Sequence, residues 1–513
     1  MNETGARGHF TGARLLLGGL VAGVIVRLWI LPLSSSLSLD EFGTWWVTNG
    51  RFGEILSRAR LFPQSVAYAA IVWWTRAAGG SSEAVLRLPS LLALGLAAYV
   101  LYRLGRELFD RETGLLAAGI FVGVPQICFA AGDARPYAFG VLATVGALWM
   151  LVRWLDGGRA ADAFGYVLLA SAAVYFQYLF ATMLVVHAAY AIRQWRRSNG
   201  IRPRHLLLAA AAIAVLTAPA SWWAGEIGRE RAFHAFEPMP DVKALVRMLL
   251  PSGVLAALLA SFLVWWMLGL AGSRRLTSVW SRPLPERDEK REPSQDALGL
   301  LWLSAVVPAV LLFVVSRVTG TSVFVPRYMM CMIPGQALLV AWFLRGVRPA
   351  SGQRAVLAGY LIIVLLARGL KFAHSNEDWR GATAAVSASN GSHPVLLSGT
   401  YTESRNLAWV QDGQHAAYMR APLDYYATGG PTVVLPLFVG RDAEAYVEGL
   451  LDSTAGLEDR FALIERSSKF PSWAPWLDAR LRPRGYRMRR VWDHGNPSAW
   501  VFERPVPRAH PPG

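Results

Sequence analysis

Asp40 and Glu41 stand side by side just past the first long apolar run of the chain, ahead of Phe42-Gly43-Thr44-Trp45-Trp46. Carboxylates held among aromatic rings at a membrane surface suit proton transfer, because a carboxylate can take the proton of an acceptor hydroxyl. Three other polar groups have complementary chemistry. Gly132-Asp133-Ala134-Arg135-Pro136-Tyr137 reads as a tight turn between two apolar runs, Pro326-Arg327-Tyr328 leads into another, and Asn376-Glu377-Asp378-Trp379-Arg380 follows the last. Arg27 adds a cation within the first run. Arginine binds phosphate bidentately and keeps its charge. If that phosphate belongs to a lipid-linked sugar, it is the leaving group, and a guanidinium neutralises the charge developing on it. Attack from the opposite face would then invert the anomeric centre.

Each group also has a plainer reading. Arg27 can snorkel to the headgroups, Asp133 and Arg135 can pair to shape their turn, and Arg327 can anchor beside Tyr328 at the interface. Asp378 and Arg380 lie at a helix start, where an acid meets the positive helix end. Asp40 and Glu41 can cap the helix that follows them. The functional reading rests on convergence, since separate segments on one membrane face supply carboxylates and arginines together.

The elements that must position these residues are membrane spans. The chain is 54% hydrophobic yet carries 51 Lys and Arg. Apolar runs of about 20 residues recur to position 370, the length a helix needs to cross hydrocarbon. No soluble domain needs so many, and the arginines cluster in short loops between the runs, so the basic excess implies positive-inside topology rather than nucleic acid. Spans are expected near 15–33, 84–103, 113–130, 137–154, 164–178, 179–194, 205–223, 252–271, 297–316, 328–345 and 354–370, about eleven in all. The stretch 164–194 reads either as one kinked region or as two spans. The run at 15–33 exceeds the ~7–15 residues of a signal-peptide core and is interrupted by Arg27, so it reads as a retained span.

The basic loops 193–204, 274–291 and 345–354 fall on one side and are expected in the cytoplasm. The segment 34–83, with a surface helix at 66–74, and everything after 370 are then expected outside. From 371 the composition turns polar. A helix at 378–390, strands at 395–397, 432–435, 461–464 and 499–502, and a helix at 442–451 predict a small α/β domain. The expected organisation is a membrane domain over 1–370, including the outer loop 34–83, an extracytoplasmic α/β domain over 371–504, and a disordered tail over 505–513. The charged segment 283–295 reads as a solvated linker. Two cysteines, Cys128 and Cys331, lie in apolar runs and support no disulfide framework.

The motifs resemble those of the GT-C membrane glycosyltransferases, of the protein-O-mannosyltransferase and lipid A aminoarabinose-transferase type. The family pattern has an Arg near the outer end of the first span followed by Asp-Glu, here Arg27 and Asp40-Glu41. Leu86-Arg87-Leu88-Pro89-Ser90, Leu104-Gly105-Arg106, Asp133-Ala134-Arg135-Pro136-Tyr137, Arg327-Tyr328 and Asp378-Trp379-Arg380 follow in the family's order. One departure is Leu61-Phe62-Pro63-Gln64-Ser65, where many relatives carry a His-Pro-Pro-Leu-like stretch.

The resemblance implies an α-helical polytopic GT-C fold, a polyprenyl-phosphate sugar donor, a lipid, glycan or protein acceptor and an outward-facing active site in the cell membrane. It implies Asp40 as base, with Glu41 beside it. Arg135 and Arg327, with Arg27, are expected to hold the donor phosphate, and Asp133, Tyr137 and Tyr328 to support acceptor or base. Asp40, Glu41 and Asp133 could hold a divalent ion, but a metal-free site with arginine as the cation is expected. The rival readings are a transporter or flippase of a lipid-linked saccharide and a non-catalytic assembly subunit. A transporter places its polar groups near the midplane, often in repeated halves. Here they gather at one face and no repeat is visible.

Overall fold

The structure is a computed structural model that describes residues 15–62, 64–197, 202–229, 238–270, 295–367, 373–453, 459–466 and 472–504. The first fourteen residues, the charged segment up to 294 and the tail 505–513 lie outside the described residues. Two compact units result. One comprises the described residues up to Leu33 and those from Arg87 to 367; the other comprises Ser34–Leu86 and the described residues from Ala373 onward.

The first unit is helical. Among the described residues six helices are long and apolar enough to cross a membrane: Leu15–Ser34, Glu83–Leu108, Tyr137–Gly157, Pro203–Glu226, Asp296–Thr319 and Pro326–Leu344. Two bent pairs bring the number to eight, Arg111–Gly123 with Pro125–Ala131 at 69° and Val242–Leu249 with Ser252–Leu268 at 47°. Pro125 cannot donate to the preceding turn, which accounts for the first break. The 164–194 stretch is two helices, Ala160–Phe176 and Thr182–Arg197, parted by a 3₁₀ turn at Tyr178–Ala181. Buried polar groups tie the helices where hydrocarbon offers no water. Trp29 Nε1 donates to the Val122 carbonyl at 3.2 Å, and Tyr360 Oη to the Ile120 carbonyl at 3.2 Å.

The second unit is built on a five-stranded sheet of order β2-β1-β3-β5-β4. Its strands are β1 (Val395–Ser398), β2 (Thr432–Val434), β3 (Arg460–Glu465), β4 (Arg487–Trp492) and β5 (Ser498–Glu503). β2, β1 and β3 run parallel, and β5 and β4 are antiparallel. β1 is buried throughout, the apolar run expected of a parallel strand covered on both faces. The expected strands and helices are present. β4 was not legible, because Arg487-Met488-Arg489-Arg490 is an exposed, charged edge strand without apolar alternation.

The loop 34–86 joins this unit because its helix Leu39–Thr48 is buried at every position but Asp40. The Phe42 ring meets Trp379, Tyr425 and Tyr426 edge-on at centroid distances of 5.9, 5.9 and 5.8 Å. Trp45 meets Tyr425 at 5.4 Å and Trp46 meets Tyr418 at 5.8 Å. Such edge-to-face pairs add to the area they bury. The surface helix expected at 66–74 is the Val66–Gly79 helix of the same unit.

Candidate active site

Asp40 and Glu41 occupy the first turn of the Leu39–Thr48 helix. Ser38 is the N-cap, and its own N–H donates to Glu41 Oε2 at 2.7 Å. Glu41, fully buried, therefore has the capping role that the plainer reading allowed, while Asp40, half-buried, extends from the turn beside it. The positive end of the helix also favours two carboxylates here. At the other end Arg58 Nη1 donates to the carbonyls of Trp46 at 2.9 Å and Asn49 at 2.7 Å, and Arg76 donates to the Thr48 carbonyl. Acids at the start and guanidiniums at the end match the helix dipole.

The segment that departs from the family motif supports this helix from one side. Gln64 Nε2 donates to Thr44 Oγ1, and Phe62 is buried against Gly43, where a Cβ would collide with the ring. A mid-helix glycine costs about 1 kcal/mol relative to alanine. Gly43 is explained by that close approach.

The arginines and tyrosines lie in the first unit. The turn before the Tyr137–Gly157 helix is closed by the Arg135 N–H donating to the Asp133 carbonyl at 2.8 Å, and Asp133 is buried. The Arg135 guanidinium lies 5.9 Å from the Tyr137 ring centroid, Tyr137 lies 6.5 Å from Tyr328, and the Arg327 guanidinium lies 5.5 Å from Tyr328. Two arginines distant in sequence thus flank one tyrosine pair. Cation–π contact helps to orient each guanidinium. Arg27 sits in a π-helical turn, Ile25–Ile30, that packs on the Pro125–Ala131 helix leading into the Asp133 turn. Such bulges often mark functional positions.

The segment Leu86-Arg87-Leu88-Pro89-Ser90 has a structural part that its spacing does not reveal. Arg87 is fully buried and donates to the carbonyls of Pro32 at 2.9 Å and Leu33 at 3.0 Å, tying down the end of the span that carries Arg27. Ser90 Oγ donates to the Arg135 carbonyl at 3.3 Å. The motif is a bracket for two of the three arginines. Asp378 and Arg380 follow the plainer reading: Asp378 Oδ1 accepts the Gly381 N–H at 3.0 Å as a helix cap, and Arg380 pairs with Glu83.

Residues 63–223 match the sequence profile of dolichyl-phosphate-mannose-protein mannosyltransferases. The fold is similar to that of ArnT from Cupriavidus metallidurans in the apo state, at TM-score 0.55 and 13% identity over 96% of this chain and 98% of that one. ArnT bound to undecaprenyl phosphate matches at TM-score 0.51 and 13% identity, over 94% and 97% of the two chains. Residues 63–223 are thus similar to that mannosyltransferase family, and the chain as a whole has an ArnT-like fold. No curated protein matches its sequence. Within this fold one unit bears the acidic pair and the other bears the arginine–tyrosine group.

Proposed function

We propose that the protein transfers a sugar from a polyprenyl-phosphate donor to an extracytoplasmic acceptor, with inversion. The observation that carries this reading is the Arg135–Tyr137–Tyr328–Arg327 arrangement, two oriented guanidiniums brought together from distant segments. A phosphate leaving group is the chemistry that such a pair serves. ArnT, similar in fold, is known bound to undecaprenyl phosphate, which supports a lipid phosphate as the donor's carrier.

In this reading Asp40 accepts the proton of the acceptor hydroxyl as its oxygen bonds to the anomeric carbon. The bond from that carbon to the phosphate oxygen breaks, and both electrons leave with the polyprenyl phosphate. Arg135 and Arg327 neutralise the charge gained there, and Arg27 assists. Tyr137 and Tyr328 hold the guanidiniums, Asp133 supports the acceptor or the base, and Glu41 holds the turn that carries Asp40. The cations are supplied by arginine, without a metal. The positive-inside pattern of the basic loops supports an extracytoplasmic site in the cell membrane.

The test is incubation of membranes carrying the full chain with a panel of radiolabelled polyprenyl-phosphate sugars, beside Asp40→Asn. Label moving from one donor to an acceptor, and lost in the variant, supports the reading. Full transfer by Asp40→Asn sinks the base assignment. Lipid-linked saccharide crossing vesicles without sugar transfer would make the protein a flippase instead.

A further inference from the structure

We infer that Glu377 is a positioning residue for Asp40; the role rests on the reading of Asp40 as the base. The start of an α-helix leaves four N–H groups without partners inside the helix. At the Leu39–Thr48 helix the Ser38–Glu41 capping box accounts for the N-cap and third-position amides. The Leu39 N–H, at the first helical position, is taken from outside the helix, by Glu377 Oε2 at 2.7 Å. The Leu39 carbonyl accepts the Tyr401 hydroxyl at 2.9 Å, in a buried contact. That carbonyl belongs to the peptide group joining Leu39 to Asp40. Both ends of the residue preceding the proposed base are therefore gripped by side chains about 340 to 360 positions away.

Glu377 is itself held against rotation. Its Oε2 also accepts Trp379 Nε1 at 2.9 Å, and its Oε1 accepts Arg466 Nε at 2.8 Å. Trp379 is fully buried and meets Phe42 of the same helix edge-on. Asp378, not Glu377, caps the Trp379–Asn390 helix, which leaves the Glu377 carboxylate to accept the Leu39 N–H. A carboxylate this enclosed is costly unless fully hydrogen-bonded, and here three donors from positions 39, 379 and 466 satisfy it. The backbone dihedrals at Leu39 set where the Asp40 carboxylate points. A displacement of about 1 Å at a reacting group costs about 100-fold in rate.

The experiment uses the full chain in lipid nanodiscs and compares Glu377→Ala, Glu377→Gln, Asp40→Asn and the double variant Asp40→Asn/Glu377→Ala. Glu377→Ala should lower kcat about 10- to 100-fold, leave the donor KM within about twofold, and speed amide hydrogen exchange at Leu39. Glu377→Gln keeps an amide oxygen for the Leu39 N–H and should recover most of the rate. In the Asp40→Asn background Glu377→Ala should cost nothing further, because residues acting as a unit are non-additive. A Glu377→Ala protein of unchanged melting temperature with wild-type kcat, or an equal loss in both backgrounds, overturns the inference. If Asp40→Asn is fully active, the base assignment fails and this role fails with it. If Asp40→Asn is inactive while Glu377→Ala is not, only the role of Glu377 falls.

Discussion

The Tyr401 hydroxyl donates to the Leu39 carbonyl at 2.9 Å, linking positions 362 residues apart. This contact joins the C-terminal sheet region to the first loop of the chain within one compact unit. The acidic pair belongs to a helix held on one side by its own loop and on another by residues beyond position 370.

Asp40 and the arginines should fail in different ways. Asp40→Asn removes the proposed general base and should lower kcat by about 10²- to 10⁴-fold with little change in donor KM. Arg135→Lys and Arg327→Lys keep the charge and lose the bidentate fork, so donor KM should rise about tenfold or more. Steady-state kinetics with a single purified donor separates the two patterns.

The Gly43–Phe62 approach predicts a coupled pair. Gly43→Ala gains up to about 1 kcal/mol of helix propensity but loses about 1–3 kcal/mol to overpacking against the buried ring. The net result should be a lower melting temperature in detergent. In a Phe62→Ala background the same alanine should be neutral or stabilising. Equal effects in both backgrounds would show that the ring is not what excludes a side chain.

Tyr426 holds the other side of the loop. Its hydroxyl donates to Glu83 Oε1 at 3.0 Å and accepts the Leu37 N–H at 3.0 Å. Tyr426→Phe keeps the ring against Phe42 and leaves the Leu37 amide unsatisfied, a loss of about 1–3 kcal/mol. Thermal unfolding should show a drop in melting temperature, and hydrogen exchange at Leu37 should rise.

Glu465, at the end of β3, has its pKa raised by burial, against the opposing bonds from the Ser472 hydroxyl and the Trp473 and Ala474 N–H groups. A carboxyl whose folded pKa lies above its unfolded value favours the fold while protonated. That contribution is complete below the unfolded value, about 4.3, and is lost as pH rises through the folded value. Wild type should therefore lose stability relative to Glu465→Gln as pH climbs through that window. Melting temperatures of both proteins between pH 4 and 8, on the order of one unit apart, check the sign. A difference that does not change with pH would contradict the raised pKa.

Much of this protein is legible in its sequence, for physical reasons that act locally. Hydrocarbon thickness fixes the length of apolar run a span needs, so the helices could be placed without coordinates. Four strands of the sheet were equally visible, because each carries a short apolar run that the sheet buries. The candidate site residues stood out too, since carboxylates and arginines beside membrane spans are costly and uncommon. Tertiary structure decided what those residues touch. Nothing within five residues of Asp40 points to Glu377 or Tyr401, and nothing near Arg135 points to Tyr328. Glu41 proved to be a cap, and Arg87 and Ser90 proved to be a bracket. A side chain's type is set by what its immediate setting can tolerate, which sequence records. Its orientation is set by contacts hundreds of residues away, which only the folded chain brings within hydrogen-bonding distance.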